Sequence, residues 1–247
     1  MRLKDKVAII TGGGGKIAKA FAMAMADEGA IICLADIMNV DPLVQLIHDN
    51  GGMAMGVECD VADETSVKNM VELFARRFGG VDILVNNAAY FTNVKKSPFW
   101  EMEVDEFDKA MAVNVRGVWL CTKAAFQYMK NRNKGKIINI SSSTALVGNT
   151  NYIHYVSSKG AVISMTRAMA RELGDYGICV NTVTPGRVIT EGRRVDPNYE
   201  KILIEQRCLK RSQVEADLVG TVLFLASSES DFMTGQILNV DGGMTFL

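Results

Sequence analysis

The 247-residue sequence predicts an α/β fold: a doubly wound parallel sheet of about seven strands with helices on both faces. Three observations carry that expectation. Short apolar, β-branched runs alternate with longer stretches whose apolar residues recur at helical spacing. The short runs are mainly apolar, as strands covered on both faces require. A run of four glycines directly follows the first of them and opens a helical stretch.

Taken in order, VAIIT (7–11) is the first strand, ended by Gly12 to Gly15, and Lys16 opens the first helix. AIICLA (30–35) and MAMGVEC (53–59) are the second and third strands. ETSVKNMVELFARRF (64–78) has helical periodicity, and DILVN (82–86) is the fourth strand. EFDKAMAVNVRGVWLCTKAAFQYMK (106–130) reads as one long helix before the strand KIINIS (136–141). CVNTVTP (179–185) and ILNV (237–240) complete the set. Right-handed crossovers between such strands give the doubly wound arrangement. There is no repeat, low-complexity tract or linker, so residues 1–247 are read as a single domain.

Apolar residues make up 48% and charged residues 22%, enough for a substantial core. A net charge of −1 offers no footprint for nucleic acid or an anionic membrane surface. No stretch reaches eighteen uninterrupted apolar residues, and the N-terminal MRLKDKVAIITGG reads as a first strand rather than a secretory signal. The five cysteines (33, 59, 121, 179 and 208) lie mostly in apolar segments without metal-type spacing, so a reduced, cytoplasmic protein is expected. His48 and His154 likewise lack metal spacing and are expected at the surface or in a pocket wall.

The glycine loop sits between a strand and a helix, where backbone approaches a phosphate and the helix N-terminus attracts its charge. An ATP-binding loop of the form GxxxxGK[ST] fails, because Ile10 would be its first glycine and Ile17 its magnesium-binding hydroxyl. A dinucleotide loop needs an acid about 20 residues further on for the ribose. Asp36 is 24 residues after Gly12 and 21 after Gly15, at the end of a strand. Its carboxylate either accepts from the ribose hydroxyls, favouring NAD over NADP, or caps the following turn.

Over essentially its whole length the sequence resembles the short-chain dehydrogenase/reductase family, of Rossmann-type fold. The family's TGxxxGxG loop is matched by Thr11-Gly12-Gly13-Gly14-Gly15-Lys16-Ile17-Ala18, with Lys16 and Ala18 replacing two glycines. Asp60 in CDV matches the family residue that meets the adenine amino group, NNAA (86–89) resembles NNAG, and PGRVIT (185–190) resembles the PG segment beside the nicotinamide. The resemblance implies cofactor contacts from Gly12, Gly14, Gly15, Lys16, Ile17, Asp36, Asp60, Val61, Asn87, Ala88, Pro185, Gly186, Val188 and Thr190, joined by Tyr155 and Lys159.

Tyr155 and Lys159 in HYVSSKGAV are four apart and share a helix face. Ser142 precedes Tyr155 by 13 residues and lies just past a strand, at the carboxyl end of the sheet. Moving a hydride between an alcohol carbon and a nicotinamide requires a proton to leave or join the oxygen. Tyrosine's ordinary pKa of about 10 is too high for that task near neutrality, and a nearby ammonium lowers it. By the resemblance, Lys159 also bonds the nicotinamide ribose, Ser142 polarises the substrate oxygen and Asn114 anchors a relaying water.

The expected activity is therefore hydride transfer between NAD(H) and a small secondary alcohol or ketone, with Tyr155 as general acid and base. Two alternatives stand beside it: an NADPH-dependent 3-oxoacyl thioester reductase of the same family, and a non-catalytic NAD-binding redox sensor. Residues 187–211 correspond to the family's substrate lid and hold seven Lys/Arg against four Asp/Glu, a solvated face or a greeting for an anionic substrate. Tyr90, Phe91, Phe99 and Trp100 are candidates for the opposite pocket wall. A homotetramer is implied by the resemblance, packed through the 106–130 helix and the Tyr155 helix.

Overall fold

The structure, a computed structural model, describes residues 1–91, 94–190 and 196–246. Its strands are β1 (Val7–Thr11), β2 (Ile31–Asp36), β3 (Met53–Glu58), β4 (Ile83–Asn86), β5 (Gly135–Ile140), β6 (Ile178–Pro185) and β7 (Ile237–Val240). They form one sheet in the order β3-β2-β1-β4-β5-β6-β7, every pairing parallel. The described helices are α1 (Lys16–Asp27), α2 (Asp41–Asp49), α3 (Glu64–Phe78), α4 (Val104–Met111), α5 (Gly117–Arg132), α6 (Thr144–Val147), α7 (Ile153–Leu173), α8 (Pro197–Gln206) and α9 (Ala216–Ala226). None is long and apolar enough to cross a membrane.

Period-two alternation divides each strand between two cores. Ala8 and Ile10 of β1 face Phe21, Ala22 and Met25 of α1 and Leu218 and Val222 of α9. Val7 and Ile9 face the opposite layer, built from Val67, Met70 and Phe74 of α3 and Leu120, Ala125 and Met129 of α5. Both faces of β1 and β2 are covered, which is why VAIIT and IICLA read as unbroken apolar runs. The strand order reverses between β1 and β4, and that switch point opens a crevice at the carboxyl ends of the strands.

Local chemistry sets the element ends. The Asp63 carboxylate caps α3 by accepting from Ser66 N at 2.6 Å, and Gly79 closes that helix at φ 80°. The stretch expected as one helix over 106–130 is α4 and α5 joined by a wider π-turn, Ala112–Arg116, which turns Asn114 wholly inward. A Cβ on Gly117, just past that turn, would come 2.8 Å from Val61 Cγ2, so glycine there lets α5 start tight against the segment after β3. Four of the five cysteines are buried as expected of small core residues, whereas Cys208 is exposed. Part of the expected lid is the helix α8, and its residues 191–195 fall outside the described residues.

Gly12 adopts φ +66°, and a Cβ there would come 2.8 Å from Ala88 Cα. Both constraints make Gly12→Ala unfavourable. The expected loss is about 2 kcal/mol, a fall in Tm of about 4–8 °C by thermal unfolding.

Candidate active site

The glycine loop is bolted to the end of β4. Thr11 Oγ1 accepts from the N–H groups of Asn87 and Ala88, each at 3.1 Å, and Asn87 Nδ2 donates to the carbonyls of Thr11 (3.0 Å) and Gly12 (3.2 Å). Asn87 and Ala88 thus act on the loop as well as lining the switch-point crevice. Gly15 is the N-cap of α1 and brings no side-chain cap, and no acid stands in the first turn. The positive end of α1, which opens with exposed Lys16 and with Ile17, therefore faces the crevice with no carboxylate of its own, as an anion site requires.

Asp36 ends β2 against this loop. Its Oδ2 accepts from Gly14 N at 2.8 Å and its Oδ1 from Met38 N at 2.9 Å, so it braces the loop and caps its own turn. Asp60 likewise caps its turn, accepting from Ala62 N at 2.9 Å, beside buried Val61. The cradle of bare backbone, the uncapped helix and the carboxylate at the strand end fit a dinucleotide.

Pro185 and Gly186 leave β6 under equally firm control. The Pro185 carbonyl accepts from Ser143 N at 2.8 Å, and Gly186 N donates to Val240 O at 3.0 Å. Val188 makes a parallel bridge to Gln213, in which Ile189 N donates to the Gln213 carbonyl at 2.8 Å. In that pattern Gln213 makes the bonds, and the N–H and C=O of Val188 itself point to the other side. Thr190, half-buried, ends the described part of this segment.

The catalytic candidates converge where α7 crosses the end of β5. Lys159 Nζ donates to the Ile140 carbonyl at 2.8 Å, and the Lys159 carbonyl accepts from Ser141 Oγ at 2.7 Å. Ser142 follows, its Oγ accepting from Thr144 N at 3.2 Å. That bond leaves the hydroxyl proton for another acceptor. Lys159 Nζ stands 5.7 Å from the centre of the Tyr155 ring, one helical turn away. Asn114 reaches the same helix through Ser158: its Nδ2 donates to Ser158 Oγ at 3.0 Å, and that hydroxyl donates to the Tyr155 carbonyl at 2.8 Å. Asn114 Oδ1 accepts from Tyr90 N at 2.7 Å, tying the pocket wall to the same side chain.

Of the expected wall residues, Phe91 packs on Tyr155 with ring centres 4.9 Å apart, and Tyr90 donates its hydroxyl to Glu106 at 2.7 Å. Phe99 and Trp100 are instead exposed and meet edge to face. Ser141, Ser158 and Tyr152, whose ring lies 6.3 Å from that of Tyr155, belong to the site although sequence reasoning passes over them. The available signal was the hydroxyl-rich SSS beyond an apolar strand. Of the two places expected for His154, surface or pocket wall, the surface is excluded: it is fully buried, and neither ring nitrogen has a hydrogen-bond partner among the described residues. Burial pulls its pKa below the ordinary histidine value, only partly opposed by the nearby Glu106 carboxylate, which keeps the imidazole neutral.

Lys159 is only 3% exposed, and burial pulls its pKa down from 10.5 to about 8. Below pH 8 both folded and unfolded chains carry the proton, and the folded one bears the full desolvation cost, about 3 kcal/mol. Between about 8 and 10.5 the folded chain releases the proton first, so stability rises with pH. Lys159→Met, which forfeits the Ile140 bond, is therefore expected to be about 2 kcal/mol more stable than the parent at pH 7. Urea unfolding at pH 7 and pH 10 checks this, the advantage vanishing at the higher pH.

Comparison with known proteins agrees with this geometry. A family model described as enoyl-(acyl carrier protein) reductase matches residues 14–245. An uncharacterized oxidoreductase of Thermotoga maritima is 38% identical over 258 residues, covering 99% of both chains. The 3-oxoacyl-[acyl-carrier-protein] reductase FabG of the same organism is 33% identical over 247 residues, again covering 99% of each. The crystal structure of a short-chain type dehydrogenase/reductase from Mycobacterium marinum superposes with a TM-score of 0.90 at 33% identity, covering 99% of this chain and 97% of that one. With a seven-stranded parallel sheet, a glycine loop at its switch point and relatives of matching length, the chain belongs to the short-chain dehydrogenase/reductase family of oxidoreductases.

Proposed function

We propose that the protein interconverts a secondary alcohol and its carbonyl counterpart using NAD(H), with Tyr155 as general acid and base. The observation that carries this reading is the buried Lys159 ammonium 5.7 Å from the Tyr155 ring. At an effective dielectric of about 20, a charge at that separation favours the phenolate by about 3 kcal/mol, about a hundredfold in its population. Phenolate formation in turn raises the proton affinity of Lys159, so the pair holds its charges together. Ser142 supplies a hydroxyl donor for the substrate oxygen, and Phe91 and Tyr152 offer it apolar walls. Asn114, fixed by Tyr90 and Ser158, is tied through the Ser158 hydroxyl to the carbonyl of Tyr155.

The residues that would hold the cofactor are Gly12, Gly14, Gly15, Lys16 and Ile17 at the diphosphate, and Asp36 at the adenosine ribose. Asp60, Val61, Asn87 and Ala88 would line the adenine side and crevice. Tyr155 and Lys159 would meet the nicotinamide ribose, and Pro185, Gly186, Val188 and Thr190 the nicotinamide. When bound, the nicotinamide accepts or supplies the hydride. Asp36 supports NAD: its carboxylate already stands at the loop, where a 2′-phosphate would meet like charge.

The FabG relatives favour a second reading, a 3-oxoacyl thioester reductase. Such an activity with NADPH would require the Asp36 carboxylate to tolerate a phosphate. The homotetramer implied by the family and the cytoplasmic location expected from the reduced cysteines belong to the NAD(H) reading, and Trp119, exposed on α5, is a candidate interface side chain. Sedimentation gives the assembly.

Two outcomes test the reading. Tyr155→Phe should bind NADH with unchanged fluorescence enhancement and lose turnover by about a thousandfold or more in a secondary-alcohol panel. Asp36→Asn should narrow an NADH-over-NADPH preference of about tenfold or more towards parity in the same titration. Near-parental turnover in the first variant, or NADPH preference in the parent, rejects it.

A further inference from the structure

Arg207, at the carboxyl end of α8, is the largest wholly buried side chain among the described residues, and no part of the chemistry above uses it. Its Nη2 donates to the Arg187 carbonyl and its Nη1 to the Arg211 carbonyl, each at 3.0 Å. The counter-charge is Glu200 of α8, whose Oε1 lies 3.8 Å from Arg207 Nη1 and whose Oε2 lies 3.7 Å from Arg187 Nε. Arg187 also spreads its guanidinium 4.8 Å over the Tyr199 ring. The carboxyl-terminal turn roofs the arrangement: Leu209 N donates to the Gly242 carbonyl at 2.9 Å, and a Cβ on Gly242 would come 3.3 Å from Arg207 Cδ.

A buried arginine and a buried carboxylate, with a half-buried second arginine, make an expensive way to join a helix to a sheet. The ion pairs here are long, and both Glu200 oxygens lack hydrogen-bond partners among the described residues. What Arg207 does secure is backbone. The Arg187 carbonyl it grips belongs to the residue immediately before Val188, whose own N–H and C=O are turned away from the Gln213 bridge. Gly186 N on one side and Ile189 N on the other are pinned to Val240 and Gln213, and Gln213 Nε2 itself donates to Val240 O at 2.7 Å. Arg207 closes this clamp from the lid side.

We propose that Arg207 is a positioning residue for the nicotinamide end of the cofactor, fixing the backbone at 187–189 so that Val188 presents its N–H and C=O to the cleft, with Glu200 keeping the guanidinium in place. This inference rests on the NAD(H) reading above. It assigns the grip to one end of the cofactor only, which gives it a signature that a general loss of packing lacks.

The test is calorimetric titration of the parent, Arg207→Met, Arg207→Lys and Glu200→Gln with two ligands. One is NADH. The other is ADP-ribose, which keeps the adenosine, the diphosphate and the second ribose but has no nicotinamide. Arg207→Met should weaken NADH about tenfold and leave ADP-ribose within about twofold. Arg207→Lys should fall between, and Glu200→Gln should shift in the same direction. If Arg207→Met does not fold, the same selective loss is required of the other two variants. Equal weakening of both ligands, or undiminished NADH affinity, overturns the positioning role and leaves the NAD(H) reading standing. A parent protein that binds neither ligand overturns both.

Discussion

The proposed chemistry depends on one cation kept out of water. The Lys159 ammonium is anchored on the carbonyl of Ile140, which ends β5, and has the ring of Tyr155 beside it. Water would screen that charge and would leave the phenol with its ordinary acidity. The sheet, α7 and the buried serines exclude it. A core lysine is destabilising by itself, so this fold holds a strained electrostatic arrangement and meets its cost with the apolar layers on both sides of the sheet.

The second requirement is that distant segments meet at one crevice. β1 and β4 are neighbours in the sheet although α1, β2, α2, β3 and α3 lie between them in sequence. Asn87, just past β4, donates two hydrogen bonds across the switch point to Thr11 at the end of β1, so the loop's path is decided there. Lys16, which departs from the usual glycine, then falls at the first residue of α1 and is exposed. The departure is accommodated because Gly12 alone carries the positive φ of the loop, and Gly13 to Gly15 supply close approach without a side chain.

The sheet was legible because burial on both faces leaves an unbroken apolar signature: β1 and β7 lie where VAIIT and ILNV place them. Tyr155, Lys159 and Ser142 were legible by spacing, since one helical turn and one strand end fix their neighbourhood. The π-turn was not, because nothing in AVNVR distinguishes a five-residue turn from a four-residue one until Asn114 finds Tyr90 and Ser158. The full burial of His154 was hidden for a related reason: its position beside Tyr155 says nothing of α4, which packs against α7. Arg207 and Glu200 look like ordinary lid charges in sequence, and only the return of the carboxyl-terminal turn over Arg207 buries them.

The switch point has a consequence for how the chain reaches its native state. Pairing β1 with β4 closes a long loop of chain, a contact that local propensity does not assist. The cleft therefore exists only once this non-local pairing is made, and no partly assembled intermediate with β4 unpaired presents it. A molecule that occupies the cleft selects for completed chains alone, acting by mass action as a pharmacological chaperone for the whole domain.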